Sequence, residues 1–273
     1  MKPSSIRSYL FVPGNRADRF DKACAAGADA VIVDLKDAVA LDEKSAARAA
    51  VDDWLSPATP VYLRINGADT EWFESDLALC GRAGVAGVIL PKSERRDDLE
   101  RVMQAGAPCI LPLIETGAGF AAAEGIAAVR GVRRLLFGSI DFQLDMGIDG
   151  EGDPLLYFRS HLVLVSRLAR IEAPVDGVTT AIDDDAQVFK DSARARALGF
   201  GAKLCIHPRQ VAHVHAAFAP TEAEIAQARR VVDAADAANG AAVALDGRMV
   251  DRPVILKAQA ILAEAGRRRG TPQ

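Results

Sequence analysis

Ala30-Val31-Ile32-Val33-Asp34-Leu35-Lys36-Asp37 joins an unbroken apolar run to a cluster of charges. A strand with one face in water alternates apolar and polar side chains, so consecutive β-branched residues indicate a parallel strand covered on both faces. Gly87-Val88-Ile89-Leu90 has the same character. Reading outward from these two, comparable runs occur at 8–13, 61–66, 109–115, 134–139, 174–178 and 202–207, which makes eight with 30–34 and 87–91. Helical stretches rich in Ala, Arg and Glu separate them, at 17–26, 43–54, 74–83, 96–105, 118–129, 157–171 and 184–197. Several close on Gly27, Gly84, Gly106 or Gly199, a residue that readily takes the left-handed conformation at a helix end. Strand and helix alternating through eight units predict an α/β fold, a TIM (β/α)8 barrel over residues 1–218. A doubly wound sheet is the alternative on periodicity alone. Residues 219–273 add helical stretches at 222–238 and 254–265, a C-terminal helical extension expected to pack on the barrel or on an adjacent subunit.

The chain has 273 residues, half of them hydrophobic and a quarter charged, and a formal net charge of −4. Neutralising phosphates needs a basic surplus, so nucleic acid is not an expected partner. The N-terminal residues lack the long uncharged segment of a signal peptide or membrane span, and a cytoplasmic protein with no membrane partner is expected. Cys24, Cys80, Cys109 and Cys205 form no close pair, which argues against a zinc cluster or a CxxC redox site and for buried thiols.

A parallel barrel gathers its chemistry at the C-terminal ends of its strands, so the polar residues closing the apolar runs are the candidates. They are Asp34, Lys36 and Asp37, then Arg64 and Asn66, Lys92, Glu115, Asp141 and His207. Glu115 and Asp141, closing neighbouring runs, can share one divalent cation while leaving positions for water and substrate oxygens. Mg²⁺ favours that arrangement because it gives up water reluctantly. Arg64 suits bidentate contact with a carboxylate or an oxygen gaining charge, or else an internal pair with Asp34 or Asp37. Lys92 offers a Schiff-base alternative, without any local sign of the desolvation it needs. Lys203 reads as structural and His207 as a base or an anchor of its loop. Gly14-Asn15-Arg16 ahead of a helix is a weak anion site, and no GxSxG elbow is present.

The ordered words Arg7-Ser8-Tyr9-Leu10-Phe11-Val12-Pro13-Gly14-Asn15-Arg16, Asp34-Leu35-Lys36-Asp37-Ala38-Val39, Leu63-Arg64-Ile65-Asn66, Leu90-Pro91-Lys92, Ile114-Glu115-Thr116, Phe137-Gly138-Ser139-Ile140-Asp141, Ile206-His207-Pro208 and Asp246-Gly247-Arg248-Met249-Val250-Asp251-Arg252-Pro253 together resemble the citrate lyase β-subunit-like family of the HpcH/HpaI aldolase group. The resemblance implies a TIM barrel, Mg²⁺ held by Glu115 and Asp141, and substrate contacts from Arg64 and Glu115. It also implies a homo-oligomer, trimer or hexamer, in which Asp251 completes the neighbouring active site as acid or base. The family word is usually Asp-Leu-Glu-Asp, and Lys36 departs from it. A reversed charge there should weaken cation affinity or change the anion held beside it; the alternative is that Lys36 instead grips a substrate carboxylate.

The activity this resemblance implies is Mg²⁺-dependent carbon–carbon cleavage of a small-molecule CoA thioester. A 3-hydroxyacyl-CoA of the citramalyl-CoA or malyl-CoA type would give acetyl-CoA and a 2-keto acid through an enolate. The alternatives are a β-subunit-like citryl lyase, a metal-dependent pyruvate-class aldolase on a free hydroxy-keto acid, or a noncatalytic acyl-CoA-binding barrel.

Overall fold

The computed structural model describes residues 6–238 and 242–269. Eight parallel strands close into a barrel in chain order: β1 Ser8–Pro13, β2 Ala30–Asp34, β3 Val61–Arg64, β4 Val85–Leu90, β5 Ile110–Ile114, β6 Leu136–Phe137, β7 Val175–Asp176 and β8 Ala202–Cys205. The barrel is the one the eight apolar runs predict, and β8 closes it by pairing with β1. Between the strands run α1 Phe20–Cys24, α2 Lys44–Trp54, α3 Phe73–Leu77, α4 Arg96–Gln104, α5 Gly117–Ala121, α6 Ala123–Ala127, α7 Ser139–Met146, α8 Leu156–Leu168 and α9 Asp185–Leu198. α10 Arg209–Ala217 follows β8.

Successive strand residues point to opposite faces, which divides the apolar side chains into two cores. Tyr9, Ile32, Tyr62, Ile89, Leu111, Leu113 and Leu136 fill the barrel interior. Leu10, Val12, Val31, Val33, Leu63 and Val88 lie in the shell between strands and helices. This is why β2 and β4 carry no alternation: both of their faces are dry. Counting on by two from Ile32, Tyr62 and Leu113 reaches Asp34, Arg64 and Glu115. The interior-facing rows therefore end, at the rim, on two acids and a guanidinium. Register aligns the first two, since Asp34 pairs with Arg64 across β2 and β3.

The elements depart from the sequence reading in a few places. β6 is only two residues long, and the chain from Ser139 onward turns helical instead of extending the strand. The stretch read as one helix over 118–129 is two, α5 and α6, meeting at Ala122. Three glycines within nine residues, Gly117, Gly119 and Gly125, weaken a continuous helix there. α10 was not anticipated, although Pro208 immediately before it is a favourable helix start. Cys80 and Cys205 are buried and Cys24 and Cys109 half-buried, all as free thiols.

Chain contacts group into two compact units, Ser5–Phe218 and one beginning at Ala219. The second unit contains α11 Glu222–Ala237, the antiparallel hairpin β9 Val243–Leu245 and β10 Arg248–Val250, and α12 Arg252–Arg269. Thr221 and Glu224 start α11 with reciprocal side-chain to backbone hydrogen bonds, satisfying amides that the first turn leaves open. Ala228, Val231, Val250 and Ala258 form its small core. Among the described residues no helix is long and apolar enough to cross a membrane.

Candidate active site

A cavity of about 430 Å³ opens at the C-terminal rim of the barrel. Asp34, Asp37, Arg64, Glu115, Ser139 and Asp141 supply its polar wall, and Phe11, Leu113, Phe137 and Leu204 much of its apolar floor. Arg64, Glu115 and Asp141, three of the four residues that the family resemblance gives roles, thus meet in one cavity. The fourth, Asp251, belongs to the C-terminal unit, between β10 and α12, where its Oδ1 accepts from the Val254 amide at 3.4 Å.

Asp141 does not close a strand, as the sequence reading had it. It sits in the first turn of α7, half exposed, because the chain bends into a helix directly after Phe137-Gly138. Gly138 is required at that bend: a Cβ would lie 2.5 Å from the Glu115 Cβ and 2.9 Å from its Oε2. The same absence of a side chain lets Glu115 lie against the end of β6.

Arg64 is fixed. Its Nε and Nη2 donate to the two oxygens of Asp34 at 2.7 and 2.6 Å, its Nη1 lies 3.2 Å from Asp37, and its guanidinium stacks over Phe11 at 4.7 Å. The internal pair is therefore real, with both acids that the sequence offered. A guanidinium has five N–H donors, so these contacts still leave N–H groups for a substrate oxygen. Burial works against charge at Asp34, but the Arg64 charge and hydrogen bonds outweigh it and hold the carboxyl low.

Glu115 has the opposite environment. Its side chain is 1% exposed, and its Oε1 accepts from the Lys92 amide at 2.9 Å and from Lys36 Nζ at 3.0 Å. Its Oε2 is buried and has no hydrogen-bond partner. Burial pushes the carboxyl up to about 7; the Lys36 charge pulls it down, and the adjoining Asp141 carboxylate adds to the rise. Asp141 is itself held low, since the adjoining Glu115 carboxyl and the Lys36 charge outweigh its desolvation.

These donors fit a hard divalent cation. They are oxygen donors of a carboxylate pair, one of whose buried oxygens lacks a partner, and no thiolate or imidazole is involved. Among the described residues no group of three or more His, Cys, Asp or Glu is placed to hold a metal ion. A cation held by this pair would thus keep most of its coordination for water and substrate, as Mg²⁺ prefers.

The remaining candidates are accounted for. Lys92 has a left-handed backbone, φ 43°, which turns its amide to Glu115 while its half-exposed ammonium reaches Asp69 at 3.3 Å. Lys203 is buried, donating to the Gly177 carbonyl at 2.7 Å beside Asp176. His207 Nδ1 accepts from the Arg209 amide, as a loop anchor does. The Gly14 amide is spent on the Asp34 carbonyl and Arg16 pairs with Asp18, so the backbone donor of the weak anion site is already committed.

Two supporting groups escaped the sequence reading. The Lys44 ammonium is buried and donates to the carbonyls of Leu35 and Lys36 and to Asn66 Oδ1, pinning the loop that carries the rim charges. Glu151 accepts from Gln143 of α7 and from Arg159, which also holds Asp176, and so ties α7 to the barrel wall. Their only signal was position: a lysine opening α2 and an acid, Glu151, shortly ahead of α8.

The family model described as HpcH/HpaI aldolase/citrate lyase matches residues 7–208. A citrate lyase subunit beta-like protein of Deinococcus radiodurans is 39% identical over 281 residues, covering 96% of this chain and 98% of that one. A (3S)-malyl-CoA thioesterase of Cereibacter sphaeroides is 35% identical over 271 residues, covering 95% and 94%. Among solved structures, CitE from Mycobacterium tuberculosis in complex with magnesium, acetoacetate and coenzyme A superposes with a TM-score of 0.86 at 33% identity, covering 96% of this chain and 99% of that one. The chain belongs to the HpcH/HpaI aldolase/citrate lyase family, a family of carbon–carbon lyases.

Proposed function

We propose that this protein is a Mg²⁺-dependent lyase that splits a 3-hydroxyacyl-CoA of the malyl-CoA or citramalyl-CoA type into acetyl-CoA and a 2-keto acid. The observation that carries it is the buried Glu115 carboxylate, one oxygen unpartnered, beside Asp141 and Arg64 in one rim cavity. Glu115 and Asp141 would hold Mg²⁺, which when bound supplies Lewis-acid polarisation of the substrate's oxygens. Arg64, held rigid by Asp34, presents its remaining N–H groups to the oxygen that gains charge as the carbon–carbon bond breaks. The apolar floor keeps water from the enolate carbon until it is protonated. Coenzyme A and magnesium in the related CitE complex, and the thioester named for the Cereibacter relative, support the substrate class.

Protonation of the acetyl carbon falls to Asp251 of an adjacent subunit in a homo-oligomer, a trimer or hexamer. Tyr157, Leu164 and Leu168 support assembly: they leave an exposed apolar stripe at helical spacing along α8. Mixing Arg64→Ala and Asp251→Ala chains should restore activity that neither has alone; verified mixed oligomers that stay inactive contradict the shared site.

A panel of CoA thioesters assayed with Mg²⁺ tests the reaction. Acetyl-CoA and the 2-keto acid should appear together at equal rates. Free CoA with an intact hydroxy acid would make the protein a thioesterase, and no turnover of any thioester would refute the assignment.

A further inference from the structure

The Lys36 ammonium lies among three carboxylates. Its Nζ is 3.0 Å from Glu115 Oε1, 3.3 Å from Asp37 Oδ2 and 3.4 Å from Asp141 Oδ2. An ammonium has three N–H donors, so one lysine can serve all three acids. Two of them are the residues assigned to the metal. The side chain is 15% exposed, and its charge already offsets part of the negative charge that would attract a cation.

Resting on the metal assignment above, we propose that Lys36 is an exchangeable counter-cation: it holds the Glu115 and Asp141 carboxylates in the ligand-free protein and moves to a substrate carboxylate when a divalent cation replaces it.

Three observations fit this exchange. The backbone at Lys36 is anchored, its amide donating to Asp34 Oδ1 at 2.9 Å and its carbonyl accepting from the buried Lys44 ammonium. Movement is thereby confined to the four-carbon stem, which pivots from a fixed point. Arg64 is committed to Asp34 and Asp37, so Lys36 is the rim cation whose present partners are the very groups a metal would take over. Finally, a dication and an ammonium cannot share the pair without strong repulsion at this separation and burial. The displaced ammonium then needs an anion, and a 2-keto acid brings one. Metal and anion binding become positively coupled, and linkage makes that coupling equal in both directions. Substrates without a free carboxylate leave the ammonium competing for Glu115, so Lys36 selects for a carboxylate-bearing acyl group.

Mn²⁺ binding, followed by electron paramagnetic resonance of the free ion, tests this on the intact protein without reference to turnover. Wild type, Lys36→Met and Lys36→Arg are titrated with and without saturating pyruvate. Mn²⁺ alone should bind Lys36→Met about tenfold more tightly than wild type. Pyruvate, whose oxygens also reach the metal, should tighten Mn²⁺ binding in all three proteins, and about fivefold or more further in wild type and Lys36→Arg than in Lys36→Met. Equal Mn²⁺ affinities in wild type and Lys36→Met, with the same response to pyruvate, overturn the exchange while leaving the metal site standing. No Mn²⁺ binding by any of the three proteins, with or without pyruvate, overturns the metal assignment and the exchange with it.

Discussion

Asp29 and Glu115 are carboxylates at opposite ends of the same barrel, and they have been driven in opposite directions. Asp29, just before β2 on the N-terminal side, is partly buried, which raises its pKa. Hydrogen bonds from His215 and from the Arg7 side chain and amide more than reverse that and hold it well below the usual carboxylate value. Glu115, at the C-terminal rim, has one cation, one amide, a neighbouring acid and an oxygen with no partner, and rises to about 7. Donor supply separates them. The closed end of the barrel satisfies its acid completely, as structure requires, and the open end leaves its acid incomplete, as a binding site requires.

Asp176, whose Oδ2 also lacks a hydrogen-bond partner, separates burial from counter-charge. It is fully buried in β7, yet held low because the Lys203 and Arg159 charges outweigh its desolvation. Asp176→Asn leaves Arg159 and Lys203 without their shared counter-charge and should cost about 3–5 kcal/mol of stability, read from urea midpoints. A loss below about 1 kcal/mol would show that counter-charge is not what makes a buried carboxylate tolerable here.

The pH dependence should divide the two ends of the barrel by sign. The folded Asp29 pKa lies below its unfolded value, so its contribution is present above about pH 4 and is lost as pH falls through the folded pKa. Asp29→Asn should therefore be less stable than wild type at pH 7, by about 1–2 kcal/mol, with the gap closing in acid. Glu115 is raised, so its contribution is full below about pH 4.5 and is lost as pH rises through about 7. Metal-free Glu115→Gln should gain on wild type as pH climbs through that window, then run level. Parallel profiles for the two variants would break the comparison.

Lys92 should show the smallest effect. Its ammonium is half exposed and reaches Asp69 at the surface, so Lys92→Ala should alter stability by no more than about 0.5 kcal/mol. Its contact with Glu115 is through the backbone amide, which the substitution retains. Borohydride with substrate should trap no adduct in wild type; a trapped adduct absent from Lys92→Ala would install a Schiff-base site at the rim instead.

The barrel was legible because both faces of its strands are dry, which writes unbroken apolar runs such as 30–33 and 87–90. The rim charges at the strand ends were legible for a related reason: Asp34, Arg64 and Glu115 continue interior-facing rows by steps of two. Asp141 was found as a residue but given the wrong support. Its helix, α7, is eight residues long and follows an apolar pair too short to mark where β6 stops. The Lys36 contact with Glu115 spans 79 positions, and nothing local in either segment announces it. Lys44 was equally silent, since a lysine near a helix start reads as solvated until the fold closes carbonyls around it.

The central claim is that Glu115 and Asp141 jointly hold one divalent cation at the barrel mouth. Crystals grown with Mn²⁺ and pyruvate, measured at the manganese absorption edge, test it most directly. An anomalous peak within coordination distance of both carboxylates, absent from Asp141→Asn crystals, is the predicted result. A peak bound elsewhere, or one that survives unchanged in Asp141→Asn, would contradict it.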